Sequence, residues 1–182
     1  MLLYLLSFVC MIALFMIPSQ TQFFLLEIGI PDPTRAGIAV GIFNFSAGVT
    51  SLAFPWLHRR LGTNAIFALM FGTVGFGYLM IGESDTYLDV AVAMAFGGMS
   101  MGVFLPNVNL AIISSASVAA RGRALGGLTT SFYFGQFLSP FYSVPIGLAF
   151  GLAFAFFATG LWLLAIAVMF IVLTALEGMR RS

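Results

Sequence analysis

Apolar residues follow one another along this chain for about 20 positions at a time, and short links carrying the charges separate the runs. Six runs are read: Met1–Leu26, Ala36–Leu57, Ala65–Ile81, Leu88–Ile113, Leu125–Gly147 and Leu148–Leu176. At roughly 1.5 Å rise per residue, each is long enough to cross a hydrocarbon core of about 30 Å as a helix. The runs are continuous and do not alternate with period two, which argues against a membrane β-barrel. They take up nearly every position, so residues 1–182 are expected to form one all-α, six-helix transmembrane bundle without a separate soluble domain. The last boundary, at Val144–Pro145–Ile146–Gly147, carries no charge to mark it.

Composition fixes the solvent. Hydrophobic residues make up 61 % of the chain and charged ones 7 %, with a mean hydropathy of +1.09. Soluble domains carry about 25 % charged residues, so water cannot surround this chain. The formal net charge of +1 singles out no anionic partner, and no nucleic-acid partner is expected. The placement of charge says more. His58, Arg59, Arg60, Arg121, Arg123, Arg180 and Arg181 fall on one side of six crossings; Glu27, Asp32, Glu83, Asp85 and Asp89 fall on the other, with Arg35 as the lone cation. Arginine-rich links face the cytoplasm, so both termini are expected inside, in a plasma membrane of the bacterial inner-membrane kind. Cys10, the single cysteine, lies within an apolar run, so no intrachain disulfide is possible and no cysteine-based metal site is expected. The first run lacks the basic start and cleavage site of a secretory signal. It opens at Met1 with no hydrophilic flank, as expected of a chain that starts part-way through a longer protein.

Polar side chains at membrane depth cost free energy unless they face protein or water. The first run holds Pro18, Ser19, Gln20 and Gln22, and the second Asn44, Ser46, Thr50 and Ser51. Ser100, Asn107 and Asn109 are in the fourth, and Thr129, Thr130, Ser131, Tyr133, Gln136 and Ser139 in the fifth. The third offers Thr73 and Tyr78, the sixth Thr159, Trp162 and Thr174, and neither has an amide. The expectation is that runs one, two, four and five line an aqueous route, with runs three and six against lipid. Gly37/Gly41, Gly98/Gly102, Gly122/Gly126 and Gly147/Gly151 are small-xxx-small pairs suited to close helix packing. Pro106, after Gly97, Gly98 and Gly102, marks a point where the fourth helix can bend beside Asn107 and Asn109.

Three stretches together resemble the C-terminal half of a major facilitator superfamily transporter, over the full chain. Pro55–Trp56–Leu57–His58–Arg59–Arg60–Leu61–Gly62–Thr63–Asn64 is similar to the family's G-x-x-x-D-R-x-G-R-R loop. Here Arg59 stands in place of the acid, Pro55 in place of the glycine, and Thr63–Asn64 in place of the basic pair. Arg121–Gly122–Arg123–Ala124–Leu125–Gly126 resembles the basic turn before the family's eleventh helix. Gly126, Gly135, Ser139 and Pro140 keep the antiporter spacing G-x8-G-x3-G-P, with serine for the last glycine. The resemblance implies a gating role for Arg59, Arg60, Gly62, Arg121, Arg123, Pro106, Gly135 and Pro140. It also implies a central cavity lined by helices one, two, four and five, and alternating access about a midplane site between two six-helix halves. One half is supplied here: a fragment, a subunit of a split transporter, or a half that dimerises.

No Asp, Glu, Lys, Arg or His lies deep in a run, so no proton carrier is expected in this half, and Glu27, Asp32, Arg35 and Asp89 read as solvated charges near the outer face. The candidate solute contacts are Gln20, Gln22, Asn44, Asn107, Asn109 and Gln136 for hydrogen bonds, with Phe45, Phe132 and Tyr133 as walls. Such a lining suits a neutral or amphipathic solute, with efflux of drug-like compounds or metabolites as the expected function and no cofactor or metal. A channel-like or non-transporting scaffold assembled through the glycine-rich helices is the alternative. Catalysis is not expected. Gly98–Met99–Ser100–Met101–Gly102 reads G-x-S-x-G, but it lies inside a helical run rather than at a strand-to-helix turn, and His58 is two helices' length away in sequence.

Overall fold

The computed structural model describes residues 1–179; Arg180 and Arg181, assigned above to the basic side, lie outside the described residues. Among the described residues the elements are helical: α1 (Leu2–Leu14), α2 (Met16–Glu27), α3 (Pro33–Gly82), α4 (Tyr87–Ser115), a short 3-10 turn, α5 (Arg121–Phe150) and α6 (Leu152–Met179). Backbone groups have no water to bond with in a bilayer, so helices satisfy them internally. Among the described residues, four stretches are long and apolar enough to cross a membrane: Leu2–Glu27, Pro33–Gly82, Tyr87–Ser115 and Leu152–Glu177. The difference from the six runs read in the sequence has two sources. α3 is continuous over two runs, and α5 is diluted by its polar residues and by Pro140 and Pro145.

α3 does not run straight. Gly62, at φ +76° and ψ 176°, is non-helical and divides it into arms 33–61 and 63–82. A Cβ on Gly98 of α4 would strike the Phe43 carbonyl of the first arm. One on Gly77, in the second arm, would lie 2.9 Å from Gly97 N and 3.0 Å from Ala93 O. Residues 43 and 77 therefore flank α4 at one level, although a straight helix would set them about 50 Å apart. The chain reverses at Gly62.

The remaining contacts give each helix a direction. The first arm runs parallel to α4, with Phe43 against Gly98 and Ala47 against Gly102. The second arm is antiparallel to α6: Phe71 stacks on Phe170 at 5.8 Å, while Gly82 sits against Ala153. α1 and α2 run parallel to α5, from Tyr4 donating to Ala124 O (3.1 Å) to Gln20 donating to Ser143 Oγ (3.1 Å). The α1–α2 break at Phe15 follows from Pro18, whose ring opposes the carbonyl four residues back, that of Leu14.

Three acids serve as helix caps at one end of the bundle. Asp32 accepts from Thr34 N (2.9 Å) at the start of α3, where Pro33 needs no donor partner. Thr86 and Asp89 form a capping box on α4. Glu27 Oε2 accepts from Leu152 N (3.0 Å) and so caps α6 across the bundle. Negative charge is favoured at helix N-termini, which explains why acids collect at this end. Arg35 pairs with Asp32 (3.5 Å) and lies over the Tyr87 ring.

Three expectations change. The turn between the fifth and sixth runs falls at Gly151 (φ +88°) and not at 144–147, where the chain stays helical through Pro145. The third run is not a lipid-facing helix: within 63–82 only Leu69 and Phe76 are exposed, because this arm is packed among α1, α4 and α6. Lipid and protein interior are equally apolar, so composition could not separate them. α6 does keep an open apolar face, including Leu161, Val168 and Ile171. Of the four glycine pairs, Gly98/Gly102 makes the close helix crossing, whereas Gly37, Gly41, Gly122 and Gly126 meet nothing within 4 Å.

Gly62 occupies a backbone region open almost exclusively to glycine. Gly62→Ala is expected to lower the unfolding free energy by ~1–3 kcal/mol, read by denaturant titration of the purified protein. An unchanged midpoint would place the reversal elsewhere.

A candidate solute-facing cleft

Four stretches of chain converge on a small cleft of ≈ 130 Å³. Met11, Leu14 and Phe15 with Pro18 contribute from α1 and α2, Phe43 and Asn44 from the first arm of α3, Met101 from α4 and Gln136 from α5. Neither the second arm of α3 nor α6 lines it. The cleft sits beside the close crossing at Gly98, which draws Phe43 towards Met101 and leaves Asn44, the next residue, on the open side. Asn44 Nδ2 donates to Val40 O (2.9 Å), and Gln136 Nε2 lies 3.8 Å from Met11 Sδ. Two amides thus meet against thioether, aromatic and proline surface, with no charged group in the lining. Such a site can offer hydrogen bonds to a neutral polar group while an apolar body rests on the walls. A larger open groove of ≈ 520 Å³ beside Tyr4, Phe8 and Ser131 brings no amides together.

The other candidate contacts are scattered. Phe45 and Tyr133 are 74 % and 68 % exposed, on the open faces of α3 and α5. Phe132 packs on Phe104, ring centroids 5.4 Å apart, as part of the interior. Gln22 is exposed and Asn109 half-buried, and neither lines the cleft. Gln20 is buried and ties α2 to α5 through Ser143, whose hydroxyl donates to Ser139 O (3.0 Å) near Pro140. Gln20 also borders a second cavity, of ≈ 340 Å³, with Phe23, Glu27 and Leu148. Asn107 is 1 % exposed; its Nδ2 donates to Thr63 O (3.2 Å), just past the Gly62 reversal, and its Oδ1 is buried without a partner among the described residues. It holds the α3 turn against α4.

The candidate gating residues separate in the same way. Arg59 and Arg60 are exposed beside the reversal, with Arg60 over the Trp56 ring at 5.0 Å. Arg121 and Arg123 are exposed at the N-terminus of α5, where the helix dipole disfavours cations. α4 continues as one helix through Pro106, and α5 through Pro140. Gly135 lets α5 approach α1, since a Cβ there would lie 2.5 Å from Phe8 O. Ser100 is fully buried and donates to Gly97 O (2.6 Å), while the His58 ring lies against Phe54.

The sequence reading missed the use made of the few polar groups outside runs one, two, four and five. Tyr78 donates to Ala13 O from the second arm of α3. Trp162 Nε1 donates to Tyr142 Oη (3.1 Å), which lies 3.0 Å from Thr159 Oγ1, and Thr159 donates to Ala155 O (2.6 Å). The proton of Thr159 is committed to Ala155, so Tyr142 donates to Thr159 and the chain has one direction. The ties of Tyr78 to Ala13 and of Trp162 and Thr159 to Tyr142 were not visible without the packing.

Against this geometry stand the comparisons with known proteins. No family model and no solved structure matches the chain. It is 25 % identical over 123 residues to an uncharacterized MFS-type transporter, YvkA, of Bacillus subtilis (strain 168). The match covers 66 % of this chain and 27 % of that protein. Together with the long apolar helices, the similarity points to a multi-pass membrane protein related to major facilitator transporters.

Buried and exposed amides are expected to respond differently to truncation. Asn107→Ala should lower stability by about 1–2 kcal/mol, and Asn44→Ala should stay within ~0.5 kcal/mol of wild type. Thermal unfolding of both variants in detergent checks this, and equal losses would contradict the assignment.

Proposed function

We propose that the chain is one six-helix half of a transporter that moves a small neutral or amphipathic solute by alternating access, with efflux as the direction. The carrying observation is the cleft in which Asn44 and Gln136 meet, lined by α1–α2, the first arm of α3, α4 and α5 and by nothing from the second arm or α6. The amide segregation in the sequence favours the same four segments for an aqueous route. Similarity to an MFS-type transporter supports the mode of action.

Six crossings follow if each α3 arm spans the bilayer separately. The reversal at Gly62 and the alternating helix directions favour this count. The end carrying His58, Arg59, Arg60, Arg121 and Arg123 would then face the cytoplasm of a plasma membrane. A second half completes the site. Gly37, Gly41, Gly122 and Gly126 suit close helix approach, yet they look onto open space, and Phe45 and Tyr133 share these unpartnered faces. In this reading Asn44, Gln136, Phe45 and Tyr133 contact solute, Arg59, Arg60, Arg121 and Arg123 act at the moving cytoplasmic boundary, and Asn107 and Gln20 hold helices in place.

Thiol mapping tests the route. In a Cys10→Ala background with the partner half present, Asn44→Cys and Gln136→Cys should react with hydrophilic, membrane-impermeant reagents, and a transported solute should slow them. Thr73→Cys, on the second arm of α3, should stay unreactive. Equal rates at all three positions would remove the aqueous path.

A further inference from the structure

We propose that the Asn44–Gln136 cleft selects a solute by a single aromatic ring that carries a neutral N–H donor, of the aromatic-amine class. This deepens the transport reading and rests on it in one respect, that solute binds in this cleft.

The hydrogen-bond inventory of the lining sets the polarity. A side-chain amide has two N–H donors and a carbonyl oxygen that can accept twice. Asn44 spends one N–H on Val40 O (2.9 Å), and the Gln136 Nε2 is turned to Met11 Sδ (3.8 Å). A backbone carbonyl and a thioether accept and do not donate, so each amide has its nitrogen, and not its oxygen, on the protein. Among the described residues, no group donates to Asn44 Oδ1 or Gln136 Oε1. Leu14 supplies a third acceptor. A helix would pair its carbonyl with the N–H of residue 18, but Pro18 has none, and no other backbone donor takes its place. Leu14 and Pro18 both line the cleft.

Unpaired carbonyls therefore outnumber the N–H groups left over in this lining. A solute end that only accepts hydrogen bonds would leave them unmatched, at the cost of desolvating each one. Charge is not selected either. The residues lining the cleft are all uncharged, and an ammonium moved there from water would lose hydration without gaining a counter-ion. The complement is a neutral group that donates more than it accepts. An aromatic NH₂ has that balance, because its lone pair is delocalised into the ring while both N–H bonds remain available.

The walls select the ring. Phe15 and Phe43 with the thioethers of Met11 and Met101 supply aromatic and sulfur surface, both of which make favourable contacts with a further ring. The volume of ≈ 130 Å³ is close to that of an apolar cavity, about 150 Å³, that takes up benzene. There is room for one ring, and a larger solute would extend out of the open side towards Phe45 and Tyr133.

The test titrates the purified 182-residue chain in micelles with three probes followed by fluorine NMR, after subtracting partition into protein-free micelles. They are para-fluoroaniline, its N,N-dimethyl derivative, and para-fluorobenzylamine, which is an ammonium at neutral pH. Wild type should bind the aniline about fivefold more tightly than either of the others, the ratio that one hydrogen bond supports. Asn44→Leu and Gln136→Leu remove acceptors at similar size, and each should lower that ratio; the pair should abolish it. Gln136→Glu keeps the shape and adds an anion, so the benzylammonium should become the tightest of the three. Met101→Trp fills the cleft and should weaken all of them together. Two results would overturn the donor rule while leaving the cleft as the solute site. One is equal binding of the aniline and its dimethyl derivative, with both lost in Met101→Trp; the other is a wild-type preference for the ammonium. Binding indifferent to every one of these substitutions would overturn the rule and remove the cleft from the transport reading as well.

Discussion

Backbone meets backbone where α4 crosses the first arm of α3, and the rest of the bundle is arranged about that crossing. Gly98 and Gly102 admit the Phe43 and Ala47 carbonyls at distances no side chain would allow. In lipid there is little hydrophobic gain in joining two apolar helices, so close van der Waals packing of this kind supplies much of the association. The crossing also settles where the cleft lies. With Phe43 drawn in, Asn44 is turned towards Met101 and Gln136, and a polar pair is held beside apolar walls.

The Gly62 reversal is the second constraint, and it depends on polar chemistry. Asn107 crosses from α4 to bond the Thr63 carbonyl, and Asn64 reaches Glu177 on α6. Two amides at one turn thus bind three helical segments together. At the opposite end Glu27, Asp32 and Asp89 perform the matching task by capping helix starts. Three acids thus satisfy N–H groups where α3, α4 and α6 begin, while Arg59, Arg60, Arg121 and Arg123 are exposed at the other end. Arg121 and Arg123 stand at a helix start, where the dipole disfavours them.

A division between solute-facing and lipid-facing helices is too coarse for the observed packing. The second arm of α3 lacks amides and is nevertheless among the most enclosed segments, with Tyr78 and Phe67 fully or almost fully buried. The first arm and α5 carry the broad unpartnered faces, where Phe45, Trp56, Tyr133 and Phe137 are exposed. Those faces adjoin the cleft, which is the placement a second half would complete.

Hydropathy alone settled that the chain is helical and belongs in a membrane, because about 20 uninterrupted apolar residues leave a backbone no other way to satisfy itself. The charge order along the links likewise separated acids from arginines without reference to packing. The candidate amides were legible as a set, since an amide in an apolar run stands out. Their roles were not. Asn44 and Gln136 reached the cleft, whereas Asn107 and Gln20 became ties between helices, and only the rotation of each helix about its axis decides between these outcomes. That rotation is set by which small residues meet across a crossing. Gly98 and Gly102 found a partner, while Gly37 and Gly41, equally suited by spacing, did not. A spacing specifies a surface that can be packed, and the contacts of the folded bundle specify which such surfaces are.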